Sequence, residues 1–405
     1  MKRYSLPLAA GLVFFAACGS PEEKMAIRLS NPSEGAVTDA AVVLDPAQLP
    51  PADWSKTAFF AAGAALPFQA NDVDGDGQVD EIVLLTSLEA GGTQLVELQE
   101  VDELPAFPKR TQAELSHKVG GTWEERVYQG GEFQNVDALR VPAEHTDHSF
   151  YIRYEGPGWE SDKVGYRFYL DWRNATDIFG KTVPDMVLQD VGQDGFDSYH
   201  EMANWGMDVL KVGQSLGVGS FGTWENGKAE RVALTDSIFC AVAANGPVHS
   251  MIRTEYLGWQ AGGKKQDLRS ELSIVAGSRL TQHTLNWEQP LDSLCTGIVK
   301  LDNSELLTNT SGTWGYLATW GQQSLNNDML GMAVLFRSAD ALALTADEHS
   351  HVVVLQAEPD NQLTYYFLGA WEKEPGGITT REAFIAYLDE VLAQLNQPLL
   401  VQYNP

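Results

Sequence analysis

Charged side chains at alternate positions in four segments are the first indication of chemistry in this sequence. Arginine is frequent among them, and its planar guanidinium matches a carboxylate or a sulfate group. The polar set in residues 161–173 is Lys163, Arg167, Tyr169, Asp171 and Arg173, and later sets are His249, Arg253 and Glu255, then Asp267, Arg269 and Glu271, then Arg279 and His283. Two interpretations remain open: a polar groove that binds an anionic ligand, or structural Arg–Glu pairs on an exposed sheet.

The positions between these charges predict strands. Successive side chains of a strand point to opposite faces, so apolar residues at alternate positions indicate a buried face. In residues 161–173 this predicted core face is Val164, Tyr166, Phe168, Leu170 and Trp172. Trp159 lies between Gly158 and Glu160 in a predicted loop, and it is therefore the tryptophan we expect at the surface, where its ring could stack on a sugar.

His200 is the candidate for proton transfer, because histidine titrates near neutral pH. It lies among four acidic residues, at the start of a helix predicted over Tyr199 to about Leu210, and Lys211 follows that helix. The alternative is a histidine at a helix start that is bonded to the backbone. The neighbouring acids are Asp190, Asp194, Asp197 and Glu201.

Four aspartates and two glycines form a DxDxDGxxD loop, which consists of Asp72, Asp74, Asp76 and Asp80 with Gly75 and Gly77. Carboxylate oxygens at alternate positions suit calcium. An EF-hand would place Glu where Val83 stands and would continue into a helix, whereas a strand is expected here. The loop is interpreted as a structural calcium site or, alternatively, as an Asp/Gly turn.

The remaining pattern predicts an all-β protein, a large supersandwich-like β-sandwich with few helices. Short Val-, Leu- and Ile-rich segments are separated by glycines, and Asn226-Gly227 predicts a hairpin turn. One helix is expected near the C-terminus, where Thr379 and Glu382 have capping-box spacing before an apolar stripe. Prolines near 105–108 suggest a boundary between a small N-terminal β unit, 27–106, and a large body, 107–405.

The N-terminal residues predict a lipoprotein signal peptide over 1–17. Lys2 and Arg3 precede an apolar run that ends at Ala16 and Ala17, and Cys18 follows. This layout resembles a bacterial lipobox, with residues 18–26 as a lipidated tether; an ordinary signal peptide with an incidental cysteine is the alternative. We expect the lipid on Cys18 to be the only membrane contact. The expected location is the outer membrane, facing the periplasm or the surface.

Composition narrows the classes of partner. The chain has 27 basic and 55 acidic residues, a formal net charge of -28, which argues against nucleic acid as a partner. An anionic ligand would need a local basic pocket. Apart from Cys18 the cysteines are Cys240 and Cys295, which export permits to pair and which could equally be buried thiols.

Three segments resemble the bacterial domain-of-unknown-function family 4861. They are GPGWESDKVGYRFYLDWRNATDIFGK (156–181), DSYHE (197–201) and WGMDVLKVGQSLGVGSFGTWENGK (205–228). The segment NGPVHSMIRTEYLGW (245–259) also resembles strands of galactose-mutarotase-like supersandwich proteins. These resemblances imply a lipoprotein of a polysaccharide-degrading bacterium, with lyase or dehydratase chemistry on acidic, uronate-containing oligosaccharides.

Such an elimination requires a base, a cation beside the carboxylate and an acid for the departing oxygen. We assign His200 as the base, Arg167 and Arg253 as the cations and Tyr169 as the acid. The predicted substrate-binding residues are Trp159, Lys163, Lys211, Arg269 and His283.

Two other functions fit the same sequence. The first is a non-catalytic lipoprotein that binds oligosaccharides. The second is a glycoside hydrolase with a carboxylate pair, drawn from Glu160, Asp171, Glu255 and Glu271.

Overall fold

The computed structural model describes residues 26–194, 198–289, 291, 293–356 and 361–404. Cys18 and the predicted signal peptide lie outside the described residues. Within the described ranges, none of the helices combines the length and the apolar character that a membrane span requires.

The described chain forms 29 strands and one α-helix. The strands of the first half are β1 (Ala26–Ser30), β2 (Val37–Leu44), β3 (Thr57–Ala61), β4 (Ala64–Ala65), β5 (Phe68–Asn71), β6 (Glu81–Leu88), β7 (Thr93–Glu100), β8 (Thr111–Glu114), β9 (Ser116–Glu124), β10 (Val127–Asn135), β11 (Ala138–Arg140), β12 (Gly158–Ser161), β13 (Val164–Phe168), β14 (Thr176–Lys181) and β15 (Gly206–Asp208). Those of the second half are β16 (Val218–Glu225), β17 (Lys228–Arg231), β18 (Ser237–Asn245), β19 (His249–Ala261), β20 (Lys264–Val275), β21 (Thr281–Trp287), β22 (Leu294–Val299), β23 (Ser304–Asn309), β24 (Trp314–Gly321), β25 (Leu330–Arg337), β26 (Ala341–Ala346), β27 (Ser350–Leu355), β28 (Gln362–Trp371) and β29 (Leu400–Asn404). The helix is α1 (Arg381–Asn396).

A nine-stranded central sheet organises the body, in the order β11-β18-β19-β20-β21-β28-β25-β24-β23. One of its faces packs against two five-stranded sheets. These are the β13 sheet (β15-β14-β13-β12-β8) and the β16 sheet (β17-β16-β22-β27-β26). Apolar side chains from all three sheets form one continuous core. The prediction of a large, mostly β sandwich is confirmed.

The predicted core face of residues 161–173 is correct up to Leu170 and wrong at Trp172. Tyr166 and Phe168 are buried in the main core, where the Tyr166 hydroxyl donates to the Arg279 carbonyl over 2.7 Å. The strand ends at Phe168, and the chain then turns back toward β14, which begins at Thr176. Trp172 falls in this turn and is 44% exposed, because the alternation of faces stops with the strand.

The helix α1 covers part of the other face of the central sheet. Its apolar stripe includes Phe384, Leu388 and Val391, which pack against side chains of β24, β25 and β28. The cap is Thr380, whose hydroxyl accepts from the Ala383 amide over 3.2 Å, one residue later than the predicted capping residue. The C-terminal helix is therefore confirmed, with a corrected start.

The N-terminal residues form two further sheets around a core of their own. Their orders are β29-β1-β7-β3-β4 and β2-β6-β5, and β9 and β10 form a separate hairpin. β29 pairs with β1, so the first and the last strands of the described residues are neighbours in one sheet.

The helix predicted from Tyr199 to about Leu210 is wrong. A single 3-10 turn, Ser198–His200, is followed by β15, which pairs with the edge of β14. A Cβ on Gly206 would lie 1.8 Å from the Gly180 carbonyl, so this contact between strands admits only glycine. Tertiary pairing has overridden the local propensity. Cys240 and Cys295 are buried free thiols.

Candidate active site

The outer face of the β13 sheet carries charges where an ordinary sandwich would expose mixed polar residues. Arg167 on β13 lies directly opposite Asp177 on β14, and Asp208 on β15 is nearby. All three side chains are at most 2% exposed. We call this the Arg167 network, comprising Glu155, Arg167, Tyr169, Asp177, Tyr199 and Asp208.

Arg167 is the centre of the network. Its Nη2 donates to Asp177 Oδ2 over 2.7 Å and to Asp208 Oδ2 over 2.5 Å. Its Nε also donates to Asp177, over 3.1 Å, and its Nη1 donates to the Tyr199 hydroxyl over 2.8 Å. The Tyr169 hydroxyl donates to Asp177 Oδ2 over 2.5 Å. Buried charges need partners of this kind, because desolvation of an unpaired ion is costly.

His200 lies at the rim of the network, where solvent reaches its side chain. Its Nε2 is 3.5 Å from Asp208 Oδ2, and its side chain is 33% exposed. Its ring is tilted against the buried ring of Tyr199, with centroids 4.6 Å apart. A partly exposed imidazole beside a buried carboxylate is an arrangement that suits a general base.

A second arginine, Arg173, borders the network on another side. Its Nη2 lies 3.0 Å from Glu155 Oε1 and its Nη1 lies 2.9 Å from Asp147 Oδ1, and the side chain also pairs with Asp171. The guanidinium carbon lies 3.9 Å from the centroid of the Tyr169 ring. Asp147, His148 and Glu155 have metal-ligand atoms within 4.8 Å of one another, but Arg173 already supplies positive charge to two of them.

Burial and neighbouring charges separate the carboxyl pKa values of the network. Burial, with the nearby Asp177 carboxylate, raises the pKa of Asp208 well above its ordinary range. Burial also acts to raise the pKa of Glu155, but Arg173 and Arg167 outweigh it and hold this pKa at about 2. Burial raises the pKa of Tyr169 well above its ordinary value, so its hydroxyl keeps its proton.

Unusual backbone conformations cluster around the same residues. Tyr154 and Glu155 have φ of 38° and 70°, and His148, Phe150 and Asn174 have φ between 42° and 57°. Residues other than glycine rarely adopt positive φ, and such strain tends to gather at functional sites. The strain supports the assignment of this region as the candidate site.

The segment that carries Tyr199 and His200 is anchored over the sheet by a buried ion pair. Lys181 on β14 donates to Glu160 Oε2 over 2.6 Å, and both side chains are fully buried. The other oxygen of Glu160 accepts from the amides of Val187 and Leu188, over 2.8 Å and 2.9 Å. This arrangement fixes the start of the cover, which we define as residues 182–194 and 198–205.

The structure brings together only some of the predicted site residues. Arg167 and Tyr169 belong to the network, and His200 lies at its rim against Asp208. Lys163 is partly buried and lies beside Glu374, and Lys211 is exposed in the loop after β15. These two lysines therefore lie outside the network.

Two predicted sugar-binding residues are corrected, because they are buried in the main core. Trp159 is fully buried in β12 rather than exposed in a loop, and its indole nitrogen donates to Thr281 Oγ1 over 2.9 Å. His283 is also fully buried, with its ring nitrogens 2.7 Å from Ser270 Oγ and 2.8 Å from the Tyr365 hydroxyl. Burial lowers the pKa of His283 to about 3.

Arg253 and Arg269 belong to a ladder of opposite charges on the central sheet. Arg253 lies opposite Glu271, and Arg269 lies opposite Glu255. These residues alternate with core residues of β19 and β20, so they are on the outer face and the main core separates them from Arg167. For these strands the interpretation as structural Arg–Glu pairs fits better than the anion groove. Arg253 also donates to the Val73 carbonyl over 2.9 Å.

The proposed hydrolase carboxylates do not gather in one place. Glu255 and Glu271 are on the outer face of the central sheet, whereas Glu160 is paired with Lys181 and Asp171 with Arg173.

The Asp-rich loop connects β5 to β6 and is exposed. Ligand oxygens of Asp72, Asp74 and Asp80 lie within 4.8 Å of one another. Backbone amides shape the loop, since those of Gly75 and Gly77 donate to Asp72 over 2.8 Å each. Asp76 accepts from the Gln78 amide at the outer side of the turn.

Sequence reasoning did not assign Asp177, Asp208, Glu155 or Tyr199 to the site. One signal was available for Asp177, which is a lone carboxylate inside the apolar strand segment TDIFGK. A charged residue in a strand buried on both faces requires a partner, and the alternating Arg167 was the nearest candidate.

The fold and the site define a large β-sandwich protein with a buried ionic network under one of its sheets. The family described as "Domain of unknown function (DUF4861)" matches residues 29–401, and the chain belongs to this family. The protein of Formosa agariphila named "Uncharacterized protein P7" is 22% identical over 373 residues, which cover 84% of this chain and 82% of that protein.

Two solved structures from Enterococcus faecalis are similar over 95% of this chain. One is an alpha-mannosidase, with 10% identity and a TM-score of 0.42, and the other is a protein in the glycosyl hydrolase family 38, with 9% identity and a TM-score of 0.41. This chain covers 46% and 48% of those two chains.

Proposed function

We propose that this protein is a carbohydrate-active enzyme that acts on uronate-containing oligosaccharides by elimination, as a lyase or a dehydratase. The observation that carries the proposal is the continuous chain of contacts from His200 through Asp208, Arg167 and Asp177 to Tyr169. This chain of contacts joins the partly exposed imidazole of His200 to the protonated hydroxyl of Tyr169. The residues between them are buried, and their opposite charges pair with one another. The substrate class comes from the family resemblance.

In the proposed mechanism His200 removes the proton on the carbon next to the uronate carboxylate. Asp208 orients the imidazole and stabilises the cation that forms. The electron pair released forms a carbon–carbon double bond, and the departing oxygen leaves with a proton from Tyr169. The departing group is an alcohol in a lyase and water in a dehydratase.

The two arginines have different parts in this proposal. Arg167 is a positioning residue, because its guanidinium is buried and bonded to Asp177, Asp208 and Tyr199. Arg173 is closer to solvent, and it supplies positive charge to the substrate carboxylate when that group replaces its partly exposed partner Asp147. Arg253 has no part, because it lies beyond the main core.

A non-catalytic binding protein is the second candidate. The observation in its favour is that Arg167, Tyr169 and Asp177 are each no more than 5% exposed. In that case the network would stabilise the fold beneath a binding surface and would perform no chemistry.

The deciding experiment incubates the purified mature protein with uronate tetrasaccharides and records ultraviolet absorbance and product masses. Elimination creates a conjugated double bond, so absorbance should rise; a lyase then yields two fragments and a dehydratase yields one product that has lost water. Products that have gained water with flat absorbance would favour the hydrolase. Unchanged substrate with measurable affinity would favour the binding protein.

We also propose that Asp72, Asp74, Asp76 and Asp80 hold a structural calcium ion. The convergence of three carboxylates in one exposed loop supports this, since calcium prefers oxygen ligands. The loop packs near Arg253 of the central sheet, so calcium would stabilise the contact between the N-terminal unit and the body.

We further propose that a lipid on Cys18 holds the protein at the outer membrane. A Cys18→Ser variant should then move from the membrane fraction to the soluble fraction of cells. Equal membrane recovery of both forms would contradict the anchor.

A further inference from the structure

A groove of about 610 Å³ lies beside the network, and we name it the Trp172 groove. It is lined by the turn that follows β13, by residues 232–238 and by the segment 140–146. The lining residues used below are Arg126, Arg140, His145, Asp171, Trp172 and Leu234.

The groove exposes two large apolar side chains. Trp172 is 44% exposed and Leu234 is 63% exposed. The guanidinium carbon of Arg231 lies 5.5 Å from the Trp172 ring centroid, a distance at which a cation attracts the indole. A partly exposed indole in a concave surface is suited to stacking against the apolar face of a sugar ring.

Two arginines that line the groove are bonded to neutral groups. Arg126 donates to the carbonyls of Glu144 and His145, and Arg140 donates to Ser237 Oγ. Among the described residues, neither Arg126 nor Arg140 forms an ion pair with a carboxylate within 4.0 Å. The chain has a net charge of -28, so arginines without carboxylates mark a place for an external anion.

The groove meets the candidate site at two residues. Asp171 lines the groove and pairs with Arg173, which contacts Glu155 of the network. His145 also lines the groove and is 6% exposed; its Nδ1 bonds to Ser149 Oγ over 2.8 Å, and its buried Nε2 has no hydrogen-bond partner. A buried polar atom without a partner costs free energy unless a ligand or water satisfies it.

We propose that the Trp172 groove binds the sugar units next to the reacting uronate. Trp172 stacks on one ring, Arg126 and Arg140 bind the carboxylates of neighbouring uronates, and His145 donates or accepts at a hydroxyl. This inference rests on the proposed function for its substrate class. It adds that the protein selects acidic oligomers over single sugars and over neutral oligomers.

The test measures binding directly, in the His200→Ala background, so that turnover does not interfere. The probes are tetragalacturonate, tetramannuronate, tetraguluronate and a heparosan tetrasaccharide, with cellotetraose as the neutral probe of equal length. Calorimetry should find at least one uronate probe that binds at least about 10-fold more tightly than cellotetraose.

Trp172→Ala should weaken that binding about 10-fold or more, and an Arg126→Gln, Arg140→Gln double variant should weaken it and flatten its dependence on salt. Leu306→Ala is the matched control, because Leu306 is also exposed, at 46%, but lies on β23 at the far edge of the central sheet. Its affinity should equal that of the parent.

The outcomes separate the two proposals. Loss of affinity in the groove variants with no ultraviolet signal from wild-type protein would support the groove and refute the elimination. Turnover with affinities unchanged by the groove variants would overturn the groove alone. Absence of binding by every uronate probe at millimolar concentration would also overturn it.

Discussion

The imidazole Nε2 of His200 lies 3.5 Å from Oδ2 of Asp208, the same oxygen that accepts from Arg167 over 2.5 Å. One buried oxygen of Asp208 thus contacts both the partly exposed His200 and the buried guanidinium of Arg167. A positively charged His200 would be a second cation beside Asp208, and it would oppose the burial and the Asp177 carboxylate that raise the pKa of Asp208.

Removal of the His200 side chain should abolish turnover without unfolding the protein. General-base catalysis contributes roughly 10²–10⁴-fold, so His200→Ala should lower kcat by about that factor. The measurement is the rate of ultraviolet absorbance change, with circular dichroism to check the fold. His349→Ala is the matched control, because His349 is a partly exposed histidine in the turn before β27. A kcat within about twofold of wild type for His200→Ala would refute the mechanism.

Removal of the Arg167 guanidinium should destabilise the protein strongly. Arg167→Leu leaves Asp177 and Asp208 buried beside each other without a cation, and breaking a buried pair costs about 3–5 kcal/mol. The free energy of unfolding in urea measures this cost. Arg381→Ala, which removes a surface pair with Glu305 whose side chains are 40% and 52% exposed, should leave the unfolding midpoint almost unchanged. A loss below about 1 kcal/mol for Arg167→Leu would show that the network is not a structural unit.

Glu155 should make folding sensitive to acid. Its pKa is about 2 in the folded protein and ordinarily 4.5, so the ionised group stabilises the fold above pH 4.5. This stabilisation, about 3 kcal/mol, is lost as the pH falls from 4.5 to about 2. The unfolding free energies of wild type and Glu155→Gln should therefore differ most above pH 4.5 and converge toward pH 2. A difference that is constant with pH would contradict the lowered pKa.

Calcium should stabilise the protein through the Asp-rich loop. A ligand that binds only the folded state at 100 times its Kd contributes about 2.7 kcal/mol, which should raise Tm by a few degrees. Scanning calorimetry with calcium and with chelator should show this shift in wild type and in Asp302→Asn, an exposed control. Asp74→Asn should not respond. If the Tm of the wild-type protein is the same with calcium and with chelator, the proposed calcium site is wrong.

Local pattern was sufficient for much of the fold. The alternation in 161–173 correctly placed Tyr166 and Phe168 in the core. Where one sheet packs on another, the strand face between them is removed from water, which favours apolar side chains on that face. The apolar stripe of the C-terminal helix predicted its buried face for the same reason. The sequence also brought forward His200, Arg167 and Tyr169 as chemical residues, and these three do lie together.

Only the tertiary structure decided which side of the sheet those residues face and what covers it. Alternation shows that Arg167 and Tyr166 point in opposite directions, but it does not show that residues 182–194 and 198–205 bury the polar side as well. For the same reason both tryptophan predictions were wrong. Trp159 was expected at the surface but is buried in a paired strand, and Trp172 was expected in the core but is exposed after the end of a strand. Burial depends on what lies across space, and the partners of Arg167 are contributed by strands that are 10 and 41 residues away in the chain.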